Sequence, residues 1–248
     1  MTEGEISLYG IPLSHPVLAA RGMLERKGLE YRYVDLLAGT HPATLWALGF
    51  KRTTVPAMKL PGGRRVQGSL AIAETLEQLR PHPPLYPSAP EQRTAAQETE
   101  RWGESVLQPV PRRLIRWGLR HRLAQRRWYL HTAGQLPAPA LTAVLVAPLA
   151  SVAAWQMGAS DARVKHDLAE LPRLLDDVDE LLKGDVIGGE ALGAADFQIG
   201  TSVRVLTAIE DVGYVLAGRP SERFARHVLP DYPPIPAALP SDWLPAAG

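Results

Sequence analysis

The sequence predicts an α/β domain with the element order βαβαββα at its N-terminal end, followed by an all-α domain. Three observations carry this prediction. Strand-like runs alternate with helical apolar periodicity as far as Leu79, a proline-rich stretch from Arg80 to Pro90 then interrupts the chain, and every later segment long enough to classify is helical. The expected organisation is a first domain over residues 1–80, a stiff linker over 81–90, a helical domain over 91–226 and a Pro-rich tail over 227–248.

Ile6 to Gly10 reads as the first strand and Val17 to Lys27 as a helix that stops at Gly28. Tyr31 to Leu36 is the second strand, and Pro42 to Leu48 a short helix. Met58 to Leu60 and Arg64 to Gln67 can pair across Pro61-Gly62-Gly63, because glycine supplies the positive φ that a tight turn needs. Ser69 is expected to cap a helix whose stripe is Leu70, Ile72, Ala73, Leu76 and Leu79. This order is thioredoxin-like.

Beyond the linker, Glu91 to Leu107 is one expected helix and residues 112–130 another, with Pro109 and Pro111 forcing a kink or break between them. An apolar, alanine-rich helix is expected from Leu141 to Met157. The next, capped by Ser160-Asp161, carries Val164, Leu168, Leu171, Leu175, Val178 and Leu182 at helical spacing. In Gly193-Ala194-Ala195-Asp196, Asp196 can reach back to an amide and start the helix from Phe197, a folding role rather than a chemical one.

Two motifs suggest a binding site. Val55-Pro56 precedes the hairpin and Ser69-Leu70-Ala71-Ile72 opens the helix after it, where free N–H groups and a hydroxyl make an anion site. Together they resemble the N-terminal half of the glutathione transferase family, with its Val-Pro loop and Ser-x-Ala-Ile helix start. The resemblance covers residues 6–212 and is most specific from Val55 to Ile72. It implies a thioredoxin-like first domain and an all-helical second one, a cis Pro56, a backbone contact from Val55 to the cysteinyl part of glutathione, and Ser69 on the γ-glutamyl carboxylate. The family places Glu or Gln directly before that serine to hold the γ-glutamyl amine. This chain has Gly68 there and Gln67 one place early, so the bound thiol is glutathione or a related small thiol, and Gln67 is the candidate to turn inward.

Ser14, in Leu13-Ser14-His15-Pro16, has two readings: a plain helix cap, or, as in the serine-type, theta-like branches, the hydroxyl that stabilises the thiolate. A free thiol has a pKa near 8.5, and lowering it by one to two units takes about 1.4 to 2.7 kcal/mol, within reach of one hydrogen bond and a helix N-terminus. Tyr9 lies inside the first strand and His15 has no acid placed near it, so neither a tyrosine donor nor a hydrolase triad is expected. Lys51 and Arg52 stand where family members place a cation for the glycyl carboxylate. Arg113 and Trp117 are candidates for the wall of the hydrophobic co-substrate pocket. The reaction implied is attack of the thiolate on a hydrophobic electrophile, a detoxification chemistry, in a cytoplasmic homodimer. The rival is a non-catalytic ligand-binding or interaction protein on the same fold, including one associated with a membrane surface.

Composition narrows this further. The 248 residues contain no cysteine, which excludes a disulfide framework, thiolate metal sites and a Cys-x-x-Cys redox centre, so any thiol must come with the ligand. No histidine pair has metal-ligand spacing on a helix face, and no metal is expected. A net charge of +1 gives no reason to expect a nucleic acid partner. The acidic start Met1 to Glu5, followed at once by a strand, does not read as a signal peptide. No Asp or Glu occurs from Ser105 to Ser160, while Arg112, Arg113, Arg116, Arg120, Arg122, Arg126 and Arg127 crowd the first half of that region. Pro148 interrupts its apolar segment, so no membrane span is expected. The acids Asp176, Asp177, Asp179 and Glu180 are expected to neutralise the arginines.

Overall fold

The computed structural model describes residues 5–246, so the first four residues of the acidic start Met1 to Glu5 and the last two of the predicted tail lie outside it. The elements are β1 Ile6–Gly10, α1 His15–Arg26, β2 Tyr31–Asp35, α2 His41–Ala47, β3 Ala57–Lys59, β4 Arg65–Gln67 and α3 Ser69–Leu79. They are followed by α4 Pro90–Trp102, a π-helical turn Gly103–Leu107, α5 Pro109–His121, α6 Leu123–Ala133, α7 Pro139–Leu145 and α8 Ala147–Gln156. Then come α9 Asp161–Lys183, α10 Ala194–Ala208, α11 Gly213–Leu216, α12 Pro220–Val228 and a short 3-10 turn Ser241–Trp243. The βαβαββα order and the helical remainder are as the sequence predicts.

The chain packs as two compact units that do not follow chain order. One holds the residues up to Glu104 together with Asp185–Thr201; the other holds Ser105–Gly184 together with Ser202 onward. In the first unit four strands form one sheet in the order β2-β1-β3-β4, with β1 and β2 parallel and the two pairings β1–β3 and β3–β4 antiparallel. β1 is buried along its whole length, as a central strand covered on both faces must be. Tyr9 points into a cluster with Ile11, Leu36, Leu45, Phe50 and Ala57 and meets the Phe50 ring edge-on at 5.4 Å, so it serves packing.

The proline-rich stretch is anchored within this unit. Leu85 and Tyr86 are buried, and the fully buried Lys27 ammonium donates to the carbonyl of Pro83 at 2.7 Å while pairing with Glu77. Asp196 performs its expected folding role: its carboxylate accepts from the N–H of Gly193 at 2.7 Å and of Gly188 at 2.6 Å. A Cβ on Gly193 would lie 2.7 Å from the carbonyl oxygen of Leu85, so the close approach of that backbone favours glycine at the head of this cap.

In the second unit the sequence reading needs three corrections. The expected helix over residues 112–130 is two helices, α5 and α6, broken at Arg122, whose extended φ of −121° and ψ of 118° cap one and open the other. The apolar segment is likewise two short helices, with Pro148 in the first turn of α8, where its missing N–H costs no intrahelical bond. The acids of α9 do not serve the arginine-rich helix: Asp177 pairs with Arg173, Asp176 and Asp179 pair with Arg219, and Glu180 pairs with Lys183. Asp167, earlier on the same helix, pairs with one of those arginines, Arg113. Within the tail, Tyr232, Ile235, Ala238 and Leu239 are buried, Ile235 bridging to Ile209 and Asp211 accepting from the N–H groups of Ala238 and Leu239. Among the described residues no helix is long and apolar enough to cross a membrane.

Glu100 provides a test of the packing around the first unit. It is 2% exposed, and one carboxylate oxygen accepts from the Tyr86 hydroxyl at 2.8 Å while the other has no partner. Burial, opposed by the Tyr86 bond and aided by the negative charges of Glu74 and Glu104, pushes its carboxyl up to about 8 from an ordinary 4.5. The folded state thus holds a proton that the unfolded chain releases, so this contribution to stability is complete below about pH 4.5 and is lost as pH rises through about 8. Glu100→Gln cannot lose that proton. Between pH 5 and pH 8 the melting temperature of the variant should therefore gain on that of the wild type; parallel curves would show that Glu100 is ionised throughout.

Candidate functional site

The site is built where β3, β4 and α3 meet. Val55–Pro56 is a cis peptide, as expected, and leads directly into β3. Pro56 is buried and its carbonyl accepts from the N–H of Gly68 at 2.9 Å, which brings the start of α3 alongside the loop. Among the described residues, the backbone N–H and C=O of Val55 have no partner, leaving an open edge at this point of the chain.

The start of α3 differs in detail from the sequence reading. Gly68, not Ser69, is the N-cap residue, and it sits at φ 91° and ψ 148°, a region open essentially to glycine alone. Ser69 is the first helical residue. It is 1% exposed, and its Oγ is buried without a hydrogen-bond partner. The first intrahelical bond runs from the N–H of Ile72 to the carbonyl of Gly68 at 3.0 Å, so the N–H groups of Ser69, Leu70 and Ala71 have no intrahelical acceptor. A hydroxyl without a partner beside three such donors at the positive end of an eleven-residue helix is an arrangement suited to a carboxylate.

Gln67 does not turn toward this point. Its Oε1 accepts from the N–H of Arg52 at 2.8 Å and its Nε2 donates to the carbonyl of Arg52 at 2.8 Å and of Thr54 at 3.4 Å. The side chain is therefore occupied in fixing the loop that carries Lys51 and Arg52, both of which are exposed. A methyl group on the Cα of Gly68 would find as its nearest neighbours Glu104 Oε1 at 3.8 Å and an Arg52 guanidinium nitrogen at 3.9 Å. Glu104 is a residue the sequence reading passed over. It is half-buried on the π-helical turn after α4, and neither its carboxylate nor the Arg52 guanidinium has an ion-pair partner among the described residues. The turn comes close because Gly103 has no side chain: a Cβ there would lie 2.6 Å from Ile199 Cδ1.

Ser14 is the N-cap residue of α1, and its carbonyl accepts from the N–H of Leu18 at 3.0 Å. Its hydroxyl makes no capping bond, although that is the bland use for a serine at this position. Leu13, just before it, is held at φ 62°, an uncommon conformation for a side-chain-bearing residue, and the turn it makes sets the direction of Ser14.

Arg113 and Trp117, the expected pocket walls, each have an acidic partner on α9. Two guanidinium nitrogens of Arg113 donate to Asp167, one at 2.7 Å. The Trp117 indole is 4% exposed, donates to Asp161 at 2.8 Å and stacks near Trp243 and His121. Both are tied into the helical packing by partners that sequence spacing gave no means of pairing. No group of three or more His, Cys, Asp or Glu side chains among the described residues is placed to hold a metal ion.

With this geometry in hand, the comparisons with known proteins are specific. Residues 8–84 match the family described as glutathione S-transferase, N-terminal domain. A glutathione S-transferase from Rhodospirillum rubrum F11 superposes with a TM-score of 0.57 at 19% identity, covering 93% of this chain and 95% of that one. FzlA from C. crescentus gives 0.58 at 20% identity over 97% and 99%. A theta class glutathione S-transferase from the citrus canker pathogen Xanthomonas axonopodis pv. citri, solved with glutathione bound, gives 0.53 at 20% identity over 87% and 84%. At these identities the likeness is one of fold. No curated protein matches the chain in sequence.

Removing the Gln67 amide tests the loop. Gln67→Ala should expose the Arg52 N–H to solvent and raise its hydrogen-exchange rate selectively. The expected cost is about 1 to 3 kcal/mol in stability for the bonds lost. Unchanged exchange at Arg52 would mean that the side chain is not what fixes the loop.

Proposed function

We propose that this chain, in which residues 8–84 form a glutathione S-transferase N-terminal domain on a chain of glutathione transferase fold, binds a small thiol at the start of α3 and activates it for attack on a hydrophobic electrophile. The observation that supports this best is the unpartnered, buried Ser69 Oγ at the N-terminus of α3, next to the open backbone of Val55. A buried hydroxyl without a partner costs about 1 to 3 kcal/mol, a cost that a bound carboxylate removes. Glutathione has a carboxylate at each end and a cysteinyl backbone between them, which the Val55 N–H and C=O could pair with as an added strand.

In this reading each residue has one task. Ser69 and the free amides of α3 hold the γ-glutamyl carboxylate; Val55 aligns the cysteinyl unit; Lys51 and Arg52 face the glycyl carboxylate. Gln67 positions Arg52 instead of touching the ligand. Ser14, whose hydroxyl is not used in capping, donates to the thiol sulfur and stabilises its thiolate together with the dipole of α1. With no cysteine of its own, the protein has no thiol that could compete as nucleophile. A cytoplasmic homodimer belongs to the same reading and rests on the family alone.

The two serines separate the tasks. Ser14→Ala should raise the pKa of the bound thiol, read from thiolate absorbance against pH, and lower turnover with thiol affinity nearly unchanged. Ser69→Ala should weaken thiol binding about tenfold or more, the loss of a charge-assisted bond, with the bound thiol titrating as before. If Ser14→Ala moves neither the titration nor turnover, Ser14 is only a helix cap. If no thiol titrates on the wild type, the transferase reading fails.

A second reading, an interaction protein on the same fold, is favoured by α7 and α8. Leu141, Val144, Leu145, Leu149, Val152 and Trp155 are exposed there, Leu145 at 69% and Trp155 at 77%, in a region with no acidic residue and with Arg120 and Arg127 exposed on the neighbouring helices. Exposed apolar residues including a tryptophan, on a stretch of chain whose charges are all positive, suit an anionic bilayer surface. On this reading the protein should co-sediment with anionic but not zwitterionic vesicles, release as salt rises, and lose binding in Trp155→Ser. Wild type remaining in the supernatant overturns the reading, and a concentration-dependent dimer abolished by Trp155→Ser would assign the face to a second copy instead.

A further inference from the structure

The register of the sheet sets a row of polar side chains across three of its strands. Ser7 on β1 lies opposite Arg32 on β2 and opposite Lys59 on β3, and directly opposed residues project from the same face of a sheet. Tyr9, two residues further along β1, shares that face, and its ring is packed against Leu45 of α2 and against Phe50. Over Ser7 the face opens into a cleft of about 390 Å³, bounded by Arg32, Lys59, Glu5, Tyr9 and the turn Pro61-Gly62-Gly63. Its floor carries unused donors. Ser7 is 7% exposed and Tyr9 6%. The Ser7 Oγ accepts from the Arg32 guanidinium at 3.5 Å, the long limit of such a bond, while its own proton has no acceptor among the described residues. The Tyr9 hydroxyl has no hydrogen-bond partner among them either. At the mouth, Arg32 and Lys59 are exposed, and neither makes an ion pair among the described residues, with Glu5 or any other acid.

We infer that this cleft binds a small phosphate monoester, its phosphate seated over Ser7 between Arg32 and Lys59 and its organic part against Tyr9 and the turn. Neighbouring strands lie about 4.8 Å apart, so the Cα atoms of Arg32 and Lys59 are roughly 10 Å from one another, and both long side chains reach a group held between them. Two cations match a dianion. A carboxylate or a sulfonate leaves one of them unmatched, and Glu5 at the rim repels any anion, so a ligand needs the full attraction of both. The Ser7 and Tyr9 hydroxyls add neutral donors from below, which phosphate oxygens accept. The volume suits a small molecule, since such pockets run from about 300 to 1,000 Å³. The site is separate from the one at Val55: Lys59 opposes Ser7 near the start of β1, whereas Ala57, next to Pro56, opposes Tyr9 towards its end. The inference therefore goes beyond the thiol-binding reading and does not depend on it.

Titration calorimetry on the full chain with phenyl phosphate tests it, with benzenesulfonate as a monoanion of similar shape. Wild type should bind phenyl phosphate about tenfold or more tightly at pH 7, and this margin should shrink towards pH 5 as the phosphate, whose second pKa is near 6, takes up a proton. Arg32→Met and Lys59→Met should each weaken phenyl phosphate about tenfold or more, and Ser7→Ala should weaken it by a smaller factor. Lys59→Arg, which keeps the charge, should retain most of the affinity. Arg64→Met, on the same hairpin but outside the cleft, and Ser69→Ala, at the start of α3, should leave it unchanged. Weakening by Ser69→Ala and not by Arg32→Met would place the anion at the thiol site and overturn the inference without touching the thiol reading. Equal weakening by the Arg32, Lys59 and Arg64 variants would also overturn it, because the attraction would then be one of general surface charge. So would a wild type that does not bind phenyl phosphate, or one that binds benzenesulfonate equally well at pH 7.

Discussion

The hydrogen bond from the Gly68 N–H to the Pro56 carbonyl holds the candidate site together. It joins the loop that enters β3 to the residue that caps α3, two points separated by the whole β3–β4 hairpin. The cap turns through a positive φ at Gly68 before the helix starts, and the first three helical amides are left without an intrahelical acceptor. Ser69 then falls inside the helix and not ahead of it. Its hydroxyl has no helical amide to accept from, and its burial removes water as an alternative. The unpartnered oxygen is thus a direct result of how strand and helix are joined.

In the second unit, charge is settled locally. The arginines of α5 and α6 are matched less by carboxylates than by carbonyl groups: Arg126 donates to the carbonyls of Leu119, Arg120 and Ala143, and Arg122 to that of Ala238. Carbonyl groups solvate a guanidinium without cancelling its charge. The acids of α9 are used on their own helix and on α12, where Asp179 also accepts from the N–H of Ser221. The region from Ser105 to Ser160 therefore remains electropositive in the folded protein, beside the exposed apolar residues of α7 and α8.

How much was legible in the sequence varied with the range of the interaction. The βαβαββα order, the hairpin at Pro61-Gly62-Gly63, the stop at Gly28 and the Asp196 cap are set by neighbours within a few residues, and each could be read from spacing. The break at Arg122 could not, because no proline or glycine marks it; its guanidinium is held by the carbonyl of Ala238, 116 positions away. The partners of Arg113 and Trp117 were hidden for the same reason, Asp167 and Asp161 lying on a helix that spacing along α5 says nothing about. Within the site, Val55, Pro56 and Ser69 were recognisable as a motif. Gln67 was misassigned because a side chain in a strand can face either the helix start or the loop, and the choice depends on where the Arg52 peptide sits.

Glycine at position 68 looks, in the sequence, like the loss of a binding residue. The structure gives it another meaning. A residue in that conformation is cheapest as glycine, so replacing a side chain there relieves backbone strain of about 1 to 3 kcal/mol. The same replacement empties the space that Glu104 and Arg52 now border.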